Sequence, residues 1–369
     1  MNIVFRVDAS LRIGTGHVMR CLTLADALKA NGAQCHFISR EHPGNLNALI
    51  QQREHTLGTL PYSPTEYSEE ENAPPHASWL ETSWEEDAIQ TAEQLVGARA
   101  DWLILDHYAL DYRWEKLLAE TTRHIMVIDD LADRLHTCDL LLDQNLGRSA
   151  DDYARRVPAD CRLLLGPQFA LLRPEFAQLR DRSLQRRQKA RARSLLISMG
   201  GGDTPNATTR IMHSLRGVLD SQWTLQVVMG ANALRTAEVD AVARSMPCPT
   251  SVLVNTPHMA KLMVEADIAI GAAGSTSWER CCLGLPSIML VMADNQERIA
   301  TQLQQVGAAT LIQSIDSIET QLPLVLQSLC APSQLHLMAL AAADVTDGMG
   351  TERVIELLTQ HPGVSFQQA

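Results

Sequence analysis

No run of eighteen apolar residues occurs in this 369-residue sequence, so nothing in it is expected to span a membrane. Its eight cysteines form no CxxC pair, which argues against a zinc site. They are scattered through apolar segments, where they are expected to behave as small buried hydrophobes. No GxGxxG with a later ribose-binding acid is present, which weighs against a nicotinamide site, and Walker A is missing too. With a formal net charge of -12, the chain has no basic stripe dense enough to follow a nucleic-acid backbone. The one local exception, Arg180 to Arg193, reads as a solvated helical connector. The opening residues Met1 to Asp8 read as a strand and not a secretory signal, and the chain is expected to be cytoplasmic.

What is present is an alternation of short apolar runs with amphipathic stretches, the pattern of parallel sheets built from βα units. In the first half the strands are expected at Ile3–Val7, Gln34–Ser39, Trp102–Leu105, His124–Ile128, Leu140–Leu142 and Leu163–Leu165. In the second half they fall at Ser194–Ser198, Thr224–Met229, Ser251–Val254, Ile268–Gly271, Ser287–Leu290 and Ala309–Ile312. The fold class is therefore α/β, two doubly wound Rossmann-like domains facing each other across a cleft. Proline punctuation and a charge shift divide the chain into a first domain at 1–166, a linker at 167–193 and a second domain at 194–345. A final stretch, 346–361, carries an amphipathic Thr351–Gln360 able to cross back onto the first domain. Leu60 to Asp87, rich in proline and acid, reads as a long surface loop.

The most informative segment runs from Arg6 to Arg20. A strand leads into a loop carrying Gly14 and Gly16, and a helix follows with His17 at its start. Glycines let a ligand approach the backbone, helix-terminal amides favour an anion, and a histidine there is placed to act as a base. Arg20 faces the same side, suited to a carbonyl or phosphate oxygen. Ligands of open α/β sheets lie beyond the carboxyl ends of the strands. The residues expected there are Asp8, Asp106 with Tyr108 and Asp111, Asp129-Asp130, and Asp143 with Asn145. Such groups either recognise a polar, hydroxyl- or acetamido-bearing substrate or cap the following helices.

The second half carries a nucleotide signal. Gly200, Gly201 and Gly202 follow one strand, and Gly274, Ser275 and Thr276 follow another, in loops suited to a diphosphate without a metal. Glu279, one turn on, is placed to accept from ribose hydroxyls. Asn295-Gln296 either reaches the substrate or caps a helix.

Taken in order, Gly14-x-Gly16-His17-x-x-Arg20, Asp106-x-Tyr108, Ile128-Asp-Asp, Leu142-Asp-Gln-Asn145, Gly200-Gly-Gly-Asp203, Gly271-Ala-Ala-Gly-Ser275 to Glu279 and Asp294-Asn-Gln296 carry a family resemblance along nearly the whole chain. The sequence resembles the PseG-type UDP-2,4-diacetamido-2,4,6-trideoxy-β-L-altropyranose hydrolases of pseudaminic acid biosynthesis. Its second domain resembles MurG-like glycosyltransferases of the GT-B fold. The resemblance implies water attack at the anomeric carbon with inversion and release of UDP. It places the base at His17, with a substrate-domain tyrosine at Tyr108 and a cleft asparagine at Asn295; on physical grounds Asp8 or another cleft acid is expected to orient the histidine. Asp8, Gly14, Gly16, Arg20, Asp106, Asn145 and Gln296 would complete the sugar side. The glycine loops and Glu279 would hold UDP. No cofactor or metal and a monomeric state are expected; a glycosyltransferase using the same nucleotide site is the alternative.

Overall fold

A computed structural model describes residues 1–63, 73–95, 99–189, 191–200, 203, 206–230 and 233–361. The chain divides into two compact units, Met1–Leu171 with Gly350–Ala369, and Leu172–Met349.

In the first unit the strands are β1 (Asn2–Val7), β2 (Gln34–Arg40), β3 (Thr56–Leu60), β4 (Ala100–Asp106), β5 (Thr122–Ile128), β6 (Leu140–Asp143) and β7 (Arg162–Leu165). Their helices are α1 (Gly16–Ala30), α2 (Asn47–Gln52), α3 (Trp84–Gln94), α4 (Tyr112–Leu118) and α5 (Ala150–Tyr153). The sheet is parallel, in the order β3-β2-β1-β4-β5-β6-β7. Burial on both faces explains the unbroken apolar runs. Ile3, Phe5, Trp102, Ile104, Met126 and Ile128 face one core, shared with Val18, Leu22 and Leu28 of α1. The alternating positions Val4, Leu103, Leu105, Ile125 and Val127 face the other, with Ala88 of α3 and Trp114 of α4.

The second unit opens with α6 (Pro174–Arg187) and continues through β8 (Ser194–Ser198), α7 (Ala207–Leu215), β9 (Thr224–Met229), α8 (Thr236–Ala243), β10 (Thr250–Val254) and α9 (Met259–Glu265). It then runs through β11 (Ile268–Ala272), α10 (Thr276–Cys282), β12 (Ser287–Leu290), α11 (Glu297–Gln305), β13 (Thr310–Ile312), α12 (Ile318–Leu329) and α13 (Pro332–Ala343). Its parallel order is β10-β9-β8-β11-β12-β13. The last helix, α14 (Gly350–Gln360), belongs to the first unit. There Val354, Ile355 and Leu358 join the α1 core, and the Trp102 indole donates to the Leu358 carbonyl at 3.1 Å.

Three expectations are corrected. The sequence reading omits β3, an edge strand whose Gly58 resembles a loop signal. That glycine lies against Gln94 and His36, where a Cβ would stand 2.5 Å from Gln94 Oε1. The segment from Leu60 to Asp87 is not a surface loop throughout, although residues 64–72 lie outside the described ones. Asp87 is fully buried and binds Arg6 twice, at 3.0 and 2.6 Å, Arg40 at 2.6 Å and the Trp114 indole at 3.0 Å. The basic stretch, finally, is no solvated linker. Arg180 and Arg187 of α6 donate to the carbonyls of Met263, Ala266, Leu283 and Ala343 at 2.8–2.9 Å. Those carbonyls lie at or next to the C-terminal ends of α9, α10 and α13, where main-chain acceptors lack helical partners. The arginines thus build α6 into the second unit.

Candidate functional site

Each sheet reverses its winding at one place, between β1 and β4 in the first unit and between β8 and β11 in the second. The carboxyl ends of strands flanking such a reversal are where open α/β sheets bind ligands. The glycine–histidine loop leaves β1 at one, and the Gly200 and Gly274 loops leave β8 and β11 at the other.

In the first unit, Ser10 shapes the turn. Its hydroxyl accepts from the amides of Arg12 at 3.2 Å and Ile13 at 2.9 Å, and its carbonyl accepts from Gly14 at 2.9 Å. Gly14 has φ +80, a conformation that strains any side chain. Helix α1 then begins at Gly16 with no side-chain cap and no acid in its first turn. The amides of Gly16, His17 and Val18 have no acceptor among the described residues.

His17 Nδ1 lies 2.6 Å from Asp106 Oδ1, at the end of β4. Arg20, one turn along α1, grips the same carboxylate with Nε on Oδ2 at 2.6 Å and Nη2 on Oδ1 at 2.7 Å. Burial opposes a charge on Asp106, but Arg20 and His17 outweigh it and hold the carboxyl far below the usual range. An ionised carboxylate only accepts, so the imidazole proton belongs on Nδ1 and the Nε2 lone pair is available. Nε2 has no partner among the described residues. Chemically, a histidine held in this way can act as a general base.

A second carboxylate completes the frame. Asp130 Oδ2 accepts from Arg20 Nη1 and from the Tyr108 hydroxyl, both at 2.7 Å, and Asn145 donates to the Asp130 carbonyl at 3.2 Å. Tyr108 also meets the His17 ring edge-on, with centroids 4.6 Å apart. His76 and Trp79, from the segment between β3 and α3, also pack against it at 5.4 and 5.7 Å. Burial lowers the His76 pKa. Asp130 is one of the strand-end acids expected from the sequence, whereas no local pattern marks His76 and Trp79.

Several expected roles change. Asp8 neither contacts His17 nor faces solvent. It is fully buried against Arg6 at 2.6 and 2.8 Å and the Arg40 amide at 2.7 Å, with His42 and His107 at 3.5 and 3.4 Å. Arg6 and the Arg40 amide already occupy both of its carboxylate oxygens, so it holds the β1 end in place; Asp106 is the acid that orients the histidine. Arg20 and Asp106 are likewise bound to each other instead of facing a ligand. Asp129 binds Arg134 at 2.8 Å, and Asp143 binds Arg148 at 2.6 Å, while the Tyr153 hydroxyl reaches both carboxylates. Burial and the neighbouring Asp130 push the Asp143 carboxyl up to about 7. The row of strand-end acids is mainly an internal ionic frame.

In the second unit the two glycine loops differ. Gly200 has φ +87, while Gly201 and Gly202 lie outside the described residues. At the following helix the Asp203 carboxylate accepts from Ala207 at 2.7 Å and Thr208 at 2.8 Å, so those first amides of α7 already have an anion. The β11–α10 turn is open by contrast. The amides of Ser275 and Thr276 have no acceptor among the described residues, and Ser275 is exposed. Gln296 approaches this turn, its Nε2 being 3.8 Å from where a Gly274 Cβ would stand, and its Oε1 accepts from the Met292 amide at 3.1 Å. Asn295 is exposed beside it. Glu279 is partly buried, with Arg173 at 3.7 Å, and burial raises its pKa. Behind the turn, a Cβ on Gly271 would stand 2.6 Å from the Ser198 carbonyl and clash with Arg280, so glycine is needed for β8 and β11 to pack there.

Residues 199–351 match the glycosyltransferase family 28 C-terminal domain. Over 310 residues the chain is 26% identical to the UDP-2,4-diacetamido-2,4,6-trideoxy-beta-L-altropyranose hydrolase of Campylobacter jejuni, covering 83% of this chain and 97% of that protein. Among solved structures it is similar to MurG of Acinetobacter baumannii, with a TM-score of 0.67 at 14% identity over 97% of this chain and 98% of that one. It is also similar to the UDP-GlcNAc 2-epimerase of Neisseria meningitidis, with a TM-score of 0.57 at 12% identity over 97% and 99%. The fold is that of the GT-B enzymes. Because one architecture serves a MurG and an epimerase, reaction type has to be argued from the site.

Proposed function

We propose that this chain, a relative of the Campylobacter hydrolase with a family 28-type C-terminal domain, hydrolyses a UDP-linked 2,4-diacetamido-2,4,6-trideoxy sugar, as in pseudaminic acid biosynthesis. The observation that carries the reading is the His17–Asp106 pair, whose Nε2 is open while Nδ1 is pinned at 2.6 Å. Water is a poor nucleophile and gains most from a base. His17 Nε2 takes a proton from water as its oxygen bonds to the anomeric carbon. The anomeric C–O bond breaks on the opposite face, its electron pair leaving with the β-phosphate oxygen of UDP. Inversion follows from this single displacement. Asp106 stabilises the imidazolium that forms, and Arg20 and Asp130 keep Asp106 and Tyr108 in place.

UDP is a good leaving group, and its developing charge calls for positioned donors more than for an acid. The amides of Ser275 and Thr276 beside Gly274 are assigned to the diphosphate, with Gly200 as a flank and Glu279 for the ribose. Asn295 and Gln296 are assigned to the substrate, and Gly14, Gly16, Tyr108 and Asn145 to the sugar. This reading routes no step through a metal.

The family 28 match favours a second reading, transfer of the sugar to an acceptor alcohol from the same nucleotide site. Incubating the protein with the UDP-diacetamido sugar and no acceptor separates the two. Hydrolysis predicts stoichiometric UDP and free sugar, abolished by His17→Ala. Turnover only on adding an acceptor would replace hydrolysis with transfer.

A further inference from the structure

At the opposite edge of the first sheet, where its strands begin, three side chains from distant parts of the chain converge. His124 lies near the start of β5, Asp139 directly precedes β6, and His361 follows α14. One ligand atom from each lies within 4.8 Å of the other two. His124 Nδ1 is buried and makes no hydrogen bond, although Asp139 Oδ1 is 3.5 Å away. That gap is long for a charge-assisted hydrogen bond. It suits two ligands of one ion: bonds of about 2.0–2.1 Å at tetrahedral angles put ligand atoms roughly 3.4 Å apart.

The surroundings hold these ligands. Asp139 Oδ2 accepts from the Ile125 amide at 2.7 Å, which fixes the carboxylate with Oδ1 toward His124. Trp102 packs against both rings, with centroids 5.0 Å from His124 and 5.1 Å from His361. The two imidazoles are 4.2 Å apart. The donor set is two imidazole nitrogens and one carboxylate oxygen, partly accessible to solvent for a further ligand. Imidazole-rich sets of this kind suit zinc and its neighbours in the first transition row.

We infer that His124, Asp139 and His361 form a binding site for a divalent transition-metal ion, separate from the His17 site and fastening the end of α14 to the first unit. Its effect would be on α14, because His361 brings that helix's C-terminal end to β5 and β6. Metal binding to the folded chain stabilises it by mass action.

The test uses the untagged full chain, stripped with chelator and titrated with Zn²⁺ by calorimetry, with metal content measured after dialysis. One ion per chain is expected, together with a rise in Tm. His361→Ala, at the end of the described chain, and His124→Ala should each weaken binding at least about 10-fold, the lower bound for disturbing a metal site. Both should also lose the Tm rise. Cys138 and Cys161, whose sulfurs lie 3.6 Å apart nearby, supply the control. Cys161→Ser should bind as the parent does. Failure of the parent to bind stoichiometrically, unchanged binding in His361→Ala, or loss in Cys161→Ser would each overturn the assignment.

Discussion

Replacing Asp106 with asparagine tests the base without emptying the space. Asp106 Oδ1 accepts from both His17 Nδ1 and Arg20 Nη2, while Oδ2 accepts from Arg20 Nε. An amide NH₂ in the first position faces two donors, and in the second it faces Arg20. The second orientation is the milder, and it keeps the His17 contact while removing the negative charge. The imidazolium then forms without its counter-ion, and the expected loss falls in the 10²–10⁴ range of general-base contributions. A 10²-fold fall in kcat corresponds to about 2.7 kcal/mol. KM should change little, because Asp106 is buried behind His17. Stability should fall as well, by less than the roughly 3–5 kcal/mol of deleting one partner of a buried pair, since Arg20 keeps Asp130. Continuous UDP release measures kcat and KM, and thermal melts show that the variant is folded. A folded Asp106→Asn protein with kcat within about threefold of the parent would refute the reasoning.

Other perturbations separate the two units. Gly274→Ala adds a Cβ with only Gln296 Nε2 nearby, at 3.8 Å, so Tm should hold while calorimetry shows UDP binding weakened several-fold. Equal UDP affinity would remove the diphosphate from this turn. Gly350→Ala puts a Cβ 2.5 Å from the Ala170 amide at the start of α14, and urea unfolding should show a loss of about 1–3 kcal/mol. No change would mean that this junction relaxes freely. Asp143, pushed up to about 7, keeps a proton that the unfolded chain releases near 3.9. Its contribution to stability is therefore full below pH ~3.9 and is lost as pH rises to about 7. Melts at pH 5 and pH 8 should show a smaller fall for Asp143→Asn than for the parent, and equal falls would contradict the shift.

Much of the fold is legible because a parallel sheet covered on both faces needs unbroken apolar strands, as at Ile3–Val7 and Leu103–Leu105. β3 escapes notice because an edge strand needs less burial, and Gly58 is selected by Gln94, which lies far along the chain. Residue types at the candidate site were equally legible, but their partners were not. Asp106 and His17 are 89 positions apart, and Arg6 and Asp87 are 81 apart. The pairing of Arg6 with Asp8, two residues apart, lay within reach of local pattern. The arginines of α6 show the same limit. A charge run normally signals solvent, and only the fold reveals helix-end carbonyls waiting for donors.

The central claim is water attack at the anomeric carbon, and turnover of the UDP-diacetamido sugar in ¹⁸O-water tests it most directly. Mass spectrometry of the products should find one ¹⁸O in the free sugar and none in UDP. Label in the phosphate of UDP or UMP would mean that a phosphorus–oxygen bond breaks instead, and would contradict the role given to His17.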